Sequence, residues 1–209
     1  MRIGIIGSGL MGSTLGVLWA KAGHEVKYAS RHPETLTELV AKTGANATAG
    51  TVEDTASWAE VVFFGVPFSA MPELAKNLMG PLAGKLILDA GNLIPNRDGA
   101  LVDAVKKLGN GSGGWVQAQL PTSSVVKAFN TVHFKNLAEG AHREGDRIGV
   151  PLAGNDGRAM KKAEGLVLDA GFDPVLVGDI AASARFDFGT KVWNTNMTGP
   201  QVREALGLK

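Results

Sequence analysis

The sequence predicts an α/β fold with a doubly wound, mainly parallel sheet. Two observations carry that expectation: short apolar runs alternate with helix-patterned segments, and a glycine-rich turn follows the first run directly. Strands are expected at 2–6, 25–29, 61–66, 85–89 and 124–129, each apolar enough to be covered on both faces. Helical patterns lie between them at 10–22, 33–42, 69–78 and 96–108. A second block follows, with a strand near 147–153, a helix near 156–170 and a strand near 173–177. The run Gly109-Asn110-Gly111-Ser112-Gly113-Gly114 reads as the most flexible segment. In the tail, 181–209, partial helix is expected, interrupted by Gly199-Pro200.

Composition narrows the function classes. The 209 residues suit one large domain or a domain with a small appendage, and 44% hydrophobic with 20% charged residues is ordinary for a globular chain. A net charge of +1, from 21 basic and 20 acidic side chains, gives no reason to expect nucleic acid or an anionic membrane as partner. With no cysteine, disulfides, thiolate nucleophiles and thiolate metal sites are excluded. The longest apolar run, 61–68, is too short to cross a bilayer. Strand pattern starts at Arg2, with no signal peptide before it, so a cytoplasmic location is expected. His24, His32, His133 and His142 show no metal-ligand spacing, so neither a metal site nor a Ser–His–Asp arrangement is expected.

The chemistry-bearing motif is Gly7-Ser8-Gly9-Leu10-Met11-Gly12, a G-x-G-x-x-G placed between a strand and a helix. In that context Gly7 permits the tight turn, Gly9 lets backbone approach a diphosphate, and Gly12 lets helix and strand pack closely. Free N–H groups and the helix dipole favour the anion. The domain expected over 1–132 is therefore a Rossmann-type dinucleotide-binding domain, followed over 133–209 by a small α/β region that completes the acceptor pocket. The second strand ends in Ser30-Arg31-His32, with no carboxylate before Glu34 to grip ribose hydroxyls. Ser30 and Arg31 suit a 2′-phosphate instead, with His32 near it or the adenine, so NADP(H) is expected over NAD(H).

Ligands in such folds sit outside the carboxyl ends of the strands. Those ends carry Val66 and Pro67, then Asn92, then Ala128, Asn130 and Thr131. Pro67 would stiffen its turn, and Asn92, Asn130 and Thr131 could hydrogen-bond a carboxamide or ribose, although each asparagine equally suits a turn or a backbone contact. His133 follows at once. Trp115, Phe134, Phe186, Phe188 and Trp193 could form an apolar contact surface, compatible with a homodimer, or serve as core and pocket lining.

Gly7 to Gly12, Gly23-His24-Glu25-Val26, Ser30-Arg31, Val66-Pro67, Asp89 to Asn92 and above all Val125-Val126-Lys127-Ala128-Phe129-Asn130-Thr131 stand in one order. In that order the chain resembles the coenzyme F-420-dependent NADP reductases, from Met1 to about Val177. The resemblance implies hydride exchange between NADP(H) and a planar deazaflavin or flavin, a small-molecule acceptor stacked on the nicotinamide near Thr131. It names no catalytic acid or base, and the segment 183–193 does not share it. Two other readings stay open. Pyrroline-carboxylate reductases and hydroxyacid dehydrogenases have similar N-terminal halves but add a long helical domain, which would make this a reductase of a small keto or imino acid. A non-catalytic NADPH sensor is the other, since a Rossmann domain fixes the binder and not the reaction.

Overall fold

The computed structural model describes residues 1–208. Its first half runs β1 (Arg2–Ile6), α1 (Leu10–Lys21), β2 (Glu25–Ala29), α2 (Thr37–Thr43), β3 (Ala47–Gly50), α3 (Val52–Trp58), β4 (Val61–Phe64), α4 (Met71–Leu82) and β5 (Leu86–Asp89). Then come α5 (Pro95–Asp98), α6 (Ala100–Leu108), α7 (Gly111–Gln119), β6 (Ser124–Lys127), α8 (Phe134–Gly140), β7 (Gly149–Gly154), α9 (Gly157–Asp169), β8 (Asp173–Gly178) and α10 (Gly199–Ala205). Among the described residues the strands form one eight-stranded sheet in the order β3-β2-β1-β4-β5-β6-β7-β8. All neighbours pair in parallel except β6 and β7. The expected doubly wound α/β fold is present, and β7 and β8 continue the same sheet past residue 132 in the opposite direction.

Apolar strands at the sheet centre explain the two-sided cover. Val61, Val62, Phe63 and Phe64 of β4 are all fully buried. They alternate between two cores, Val61 and Phe63 under α1 and α9, Val62 and Phe64 under α3, α4 and α7. Trp19 of α1 ties the first core together. Its ring lies edge-on to Phe63 at 5.7 Å and to Phe129 at 5.9 Å, and its Nε1 donates to the Leu166 carbonyl of α9 at 2.8 Å. No described helix is long and apolar enough to cross a membrane.

Four expectations are corrected. Between 43 and 61 no element was expected, yet β3 extends the sheet and α3 follows it, capped by Thr51, whose side chain accepts from Asp54 N–H. Residues 109–114 are not a flexible run: Gly109 caps α6, Asn110 is the N-cap of α7, and 111–114 are its first turn. Gly111 and Gly113 there approach Ala184 and Ser183 so closely that a Cβ would lie 2.7 and 2.9 Å from their atoms. Gly199-Pro200 opens α10 rather than breaking it. Thr198 and Gln201 form a capping box, and proline in the first turn gives up an N–H that has no helical partner. Finally, β4 and β6 end at Phe64 and Lys127, so Val66 and Ala128 to Thr131 lie in the loops beyond them.

Candidate dinucleotide site

Parallel pairing of β2, β1, β4, β5 and β6 brings their carboxyl ends to one edge. A groove of about 930 Å³ opens there. One wall is Gly7, Ser30, Arg31 and the turn Thr51 to Glu53; the other is Val66, Pro67, Leu74 and Asn77. Of the residues expected at the site, Gly7, Ser30, Arg31, Val66 and Pro67 are brought together on this surface. Thr51, Val52 and Glu53 were missed along with β3 and α3; the Thr-x-x-Asp start of α3 was the signal that could have found them.

The three motif glycines have separate physical reasons. Gly7 sits at φ +105°, and a Cβ there would lie 2.5 Å from the Gly65 carbonyl oxygen. At Gly12 a Cβ would lie 2.1 Å from the Gly7 oxygen, so helix and strand could not close. Gly9 is different: a Cβ there would meet nothing within 4 Å. No protein atom requires glycine at this position. Gly9 is the N-cap of α1, with no capping side chain and no acidic residue in the first turn, which leaves the helix N-terminus open to an anion. Ser8 faces inward, its hydroxyl donating to the Ala29 carbonyl at 3.0 Å and locking the turn to the end of β2. Leu10 is exposed and Met11 half-buried against the core.

At the end of β2, Arg31 is exposed and makes no ion pair among the described residues. The Ser30 hydroxyl accepts from the His32 N–H at 3.0 Å, leaving its proton free to donate. His32 points to Glu34, Nδ1 to Oε1 3.4 Å, both side chains well exposed. A guanidinium and a hydroxyl thus stand at the groove rim without a competing carboxylate partner.

The opposite end of the site is a web of long-range bonds that sequence reading did not anticipate. Lys127 and Asp89, register partners on β6 and β5, pair at 2.8 Å with no exposure of either side chain. Lys127 also donates to the Gly91 carbonyl, and Asp89 accepts from Gly91 N–H at 2.9 Å. The next residue, Asn92, is half-buried, and its Nδ2 donates to the Asn130 carbonyl at 2.8 Å. Asn130 in turn donates through Nδ2 to the Phe186 carbonyl at 2.9 Å, and its buried Oδ1 has no partner. Asp98 clasps the loop from behind, accepting from Ile94 N–H, Ser69 N–H and the Arg97 guanidinium. Burial opposes ionisation of Asp98, but Arg97 and the two N–H donors outweigh it and hold its carboxyl below the usual range. A lysine inside an otherwise apolar strand, with an aspartate ending its neighbour, was the available signal. Ala128, Asn130 and Thr131 are buried beneath this end and do not line the groove, and Phe129 there holds φ at +63°.

Comparison with known proteins finds similarity over part or nearly all of the chain. The model of a family described as coenzyme F-420-dependent NADP oxidoreductase matches residues 2–93. The match covers 92 of the 209 residues. It holds the glycine turn, Arg31, Pro67 and Asn92, and ends just beyond β5. A solved structure of a hypothetical protein from Sinorhizobium meliloti superposes with a TM-score of 0.81, at 28% identity over 95% of each chain. A candidate F-420-dependent NADP-reductase from Arthrobacter sp. FB24 gives 0.76 at 23% identity, over 95% of this chain and 99% of that one, and shares the fold. The 2-hydroxy-3-oxopropionate reductase of Escherichia coli is 23% identical over 188 residues. This chain spans 63% of that relative's length.

Proposed function

We propose that the chain is an NADP(H)-dependent oxidoreductase whose hydride partner is a planar deazaflavin, F-420-like, or flavin molecule. The observation that supports cofactor binding best is the pairing of an open Gly9 with an unpartnered Arg31. Among the described residues, no atom demands glycine at Gly9, at the uncapped start of a helix, and Arg31 makes no ion pair where the second strand ends. Gly7 to Gly12 would hold the diphosphate, Ser30 and Arg31 the 2′-phosphate, and Val52 and Leu74 the faces of the adenine. NADPH, when bound, supplies a hydride at its nicotinamide ring. The protein's part is approach, orientation and exclusion of water, which such a transfer needs more than a nucleophile. Pro67 and the fixed Asn92 loop give that end of the site its rigid walls.

The match of residues 2–93 to the coenzyme F-420-dependent family model supports the planar acceptor. A second reading, reduction of a small keto acid, is favoured by the similarity to the hydroxyoxopropionate reductase. NADPH oxidation at matched concentrations of 5-deazaflavin, flavin mononucleotide, simple quinones and 2-keto acids separates the two. Turnover confined to the tricyclic rings is the expected result. Efficient turnover of a keto acid, with none of any tricycle, overturns the planar-acceptor reading.

A further inference from the structure

The groove that would take a polyanion also holds two carboxylates, Glu53 on the Arg31 wall and Glu73 on the α4 wall. A carboxylate facing phosphates repels them unless it meets a hydrogen-bond donor of the same ligand. Along α4 the groove side carries Glu73, Leu74, Asn77 and Leu78, the spacing of one helix face. Leu78 is buried and Leu74 half-buried, whereas Glu73 and Asn77 are exposed. The face is therefore apolar toward the floor and polar along the rim. Its two polar groups stand one turn apart, about 5–6 Å between Cβ atoms. Glu73 makes no ion pair among the described residues, so its carboxylate is unengaged.

The placement of the cofactor decides what these groups meet. With the diphosphate at Gly9 and the 2′-phosphate at Arg31, the adenosine ribose lies along the Arg31 wall. The base then crosses toward α4, with Val52 and Leu74 on its faces. Glu73 and Asn77 flank Leu74 on the rim and so meet the edge of the ring rather than its face. In this half of the ligand the donors are the ribose hydroxyl and the 6-amino group of adenine, and only the amino group belongs to the base. A carboxylate can accept from that amino group and has nothing to donate, whereas a carboxamide both donates and accepts.

We infer that Glu73 and Asn77 read the purine edge, Glu73 accepting from the 6-amino group and Asn77 bonding the ring nitrogen beside it, so that the groove selects adenine over a 6-oxo purine. The inference deepens the function proposed above and rests on its placement of the cofactor. Hypoxanthine puts a carbonyl oxygen where adenine has the amino group, and an N–H where adenine has a ring acceptor. Asn77 answers that exchange by turning its amide over. Glu73 has no such answer, because two acceptors then face each other. Selectivity for the base therefore falls on Glu73.

NADP⁺ and its hypoxanthine counterpart serve as probes, titrated calorimetrically into the whole chain. Wild type should bind NADP⁺ about tenfold more tightly than the hypoxanthine dinucleotide. Glu73→Gln, whose carboxamide can donate to a 6-oxo group, should bring the two affinities together. Its circular dichroism and its preference for NADP⁺ over NAD⁺ should not change, since Arg31 is untouched. Asn77→Ala should weaken both probes alike. Equal affinity of wild type for the two probes overturns the inference, and so does full discrimination retained by Glu73→Gln. Discrimination lost in Glu53→Gln but kept in Glu73→Gln overturns it as well, since the opposite wall would then read the base. Failure of wild type to bind NADP⁺ at all would instead strike the underlying cofactor reading.

Discussion

Lys127 and Asp89 face each other across β6 and β5 at 2.8 Å, wholly buried, and between them fix the turn that presents Asn92. Two opposite charges in an apolar sheet are held there by each other and by Gly91. Removing one leaves the other without a counter-charge, which typically costs about 3–5 kcal/mol. Lys127→Met should therefore lower the urea midpoint strongly, and Lys127→Met/Asp89→Leu should recover most of the loss. Additive losses in the double variant would mean that the pair is not the coupled unit described.

Substitution of the motif glycines should separate folding from binding. Gly12→Ala drives a methyl into the Gly7 carbonyl oxygen at 2.1 Å, so the turn must shift and thermal stability should fall. Gly9→Val fills open space but puts a poor N-cap residue at the start of α1, so stability should fall by no more than about 1 kcal/mol while NADPH binding collapses. Calorimetry that finds wild-type NADPH affinity in a folded Gly9→Val protein would move the diphosphate away from this turn.

Acid stability should report on Asp98. Its folded carboxyl titrates below the usual range, so it stabilises the native state above the unfolded value near about 4. That contribution is lost as pH falls through the folded value. Urea unfolding at pH 7 and in steps below pH 4 should show Asp98→Asn less stable at neutral pH and with a shallower acid loss than wild type. Parallel curves for the two proteins would contradict the assignment.

Much of the fold was legible because it is written in local pattern. Apolar runs gave β1 and β2 with their observed bounds, and the glycine spacing gave the turn between β1 and α1. What was missed depends on neighbours. Ala47 to Gly50 has too little side-chain bulk to read as a strand until β2 offers it a ladder. Residues 109 to 114 read as flexible until Ser183 and Asp187 pack on Gly111, Gly113 and Ser112. The site divides the same way. The proposed phosphate end rests on three glycines within six residues, while the end beyond β5 and β6 joins Lys127 to Asp89 and Asn130 to Phe186, 38 and 56 residues apart.

The cofactor reading is tested most directly by titrating NADPH and NADH calorimetrically into wild type and Arg31→Ala. Wild type should bind NADPH well above NADH. Loss of one charge-assisted phosphate contact, about 1.5–3 kcal/mol, should weaken NADPH by about one to two decades and leave NADH nearly unchanged. Equal losses for both cofactors, or no NADPH binding by wild type, would contradict the account.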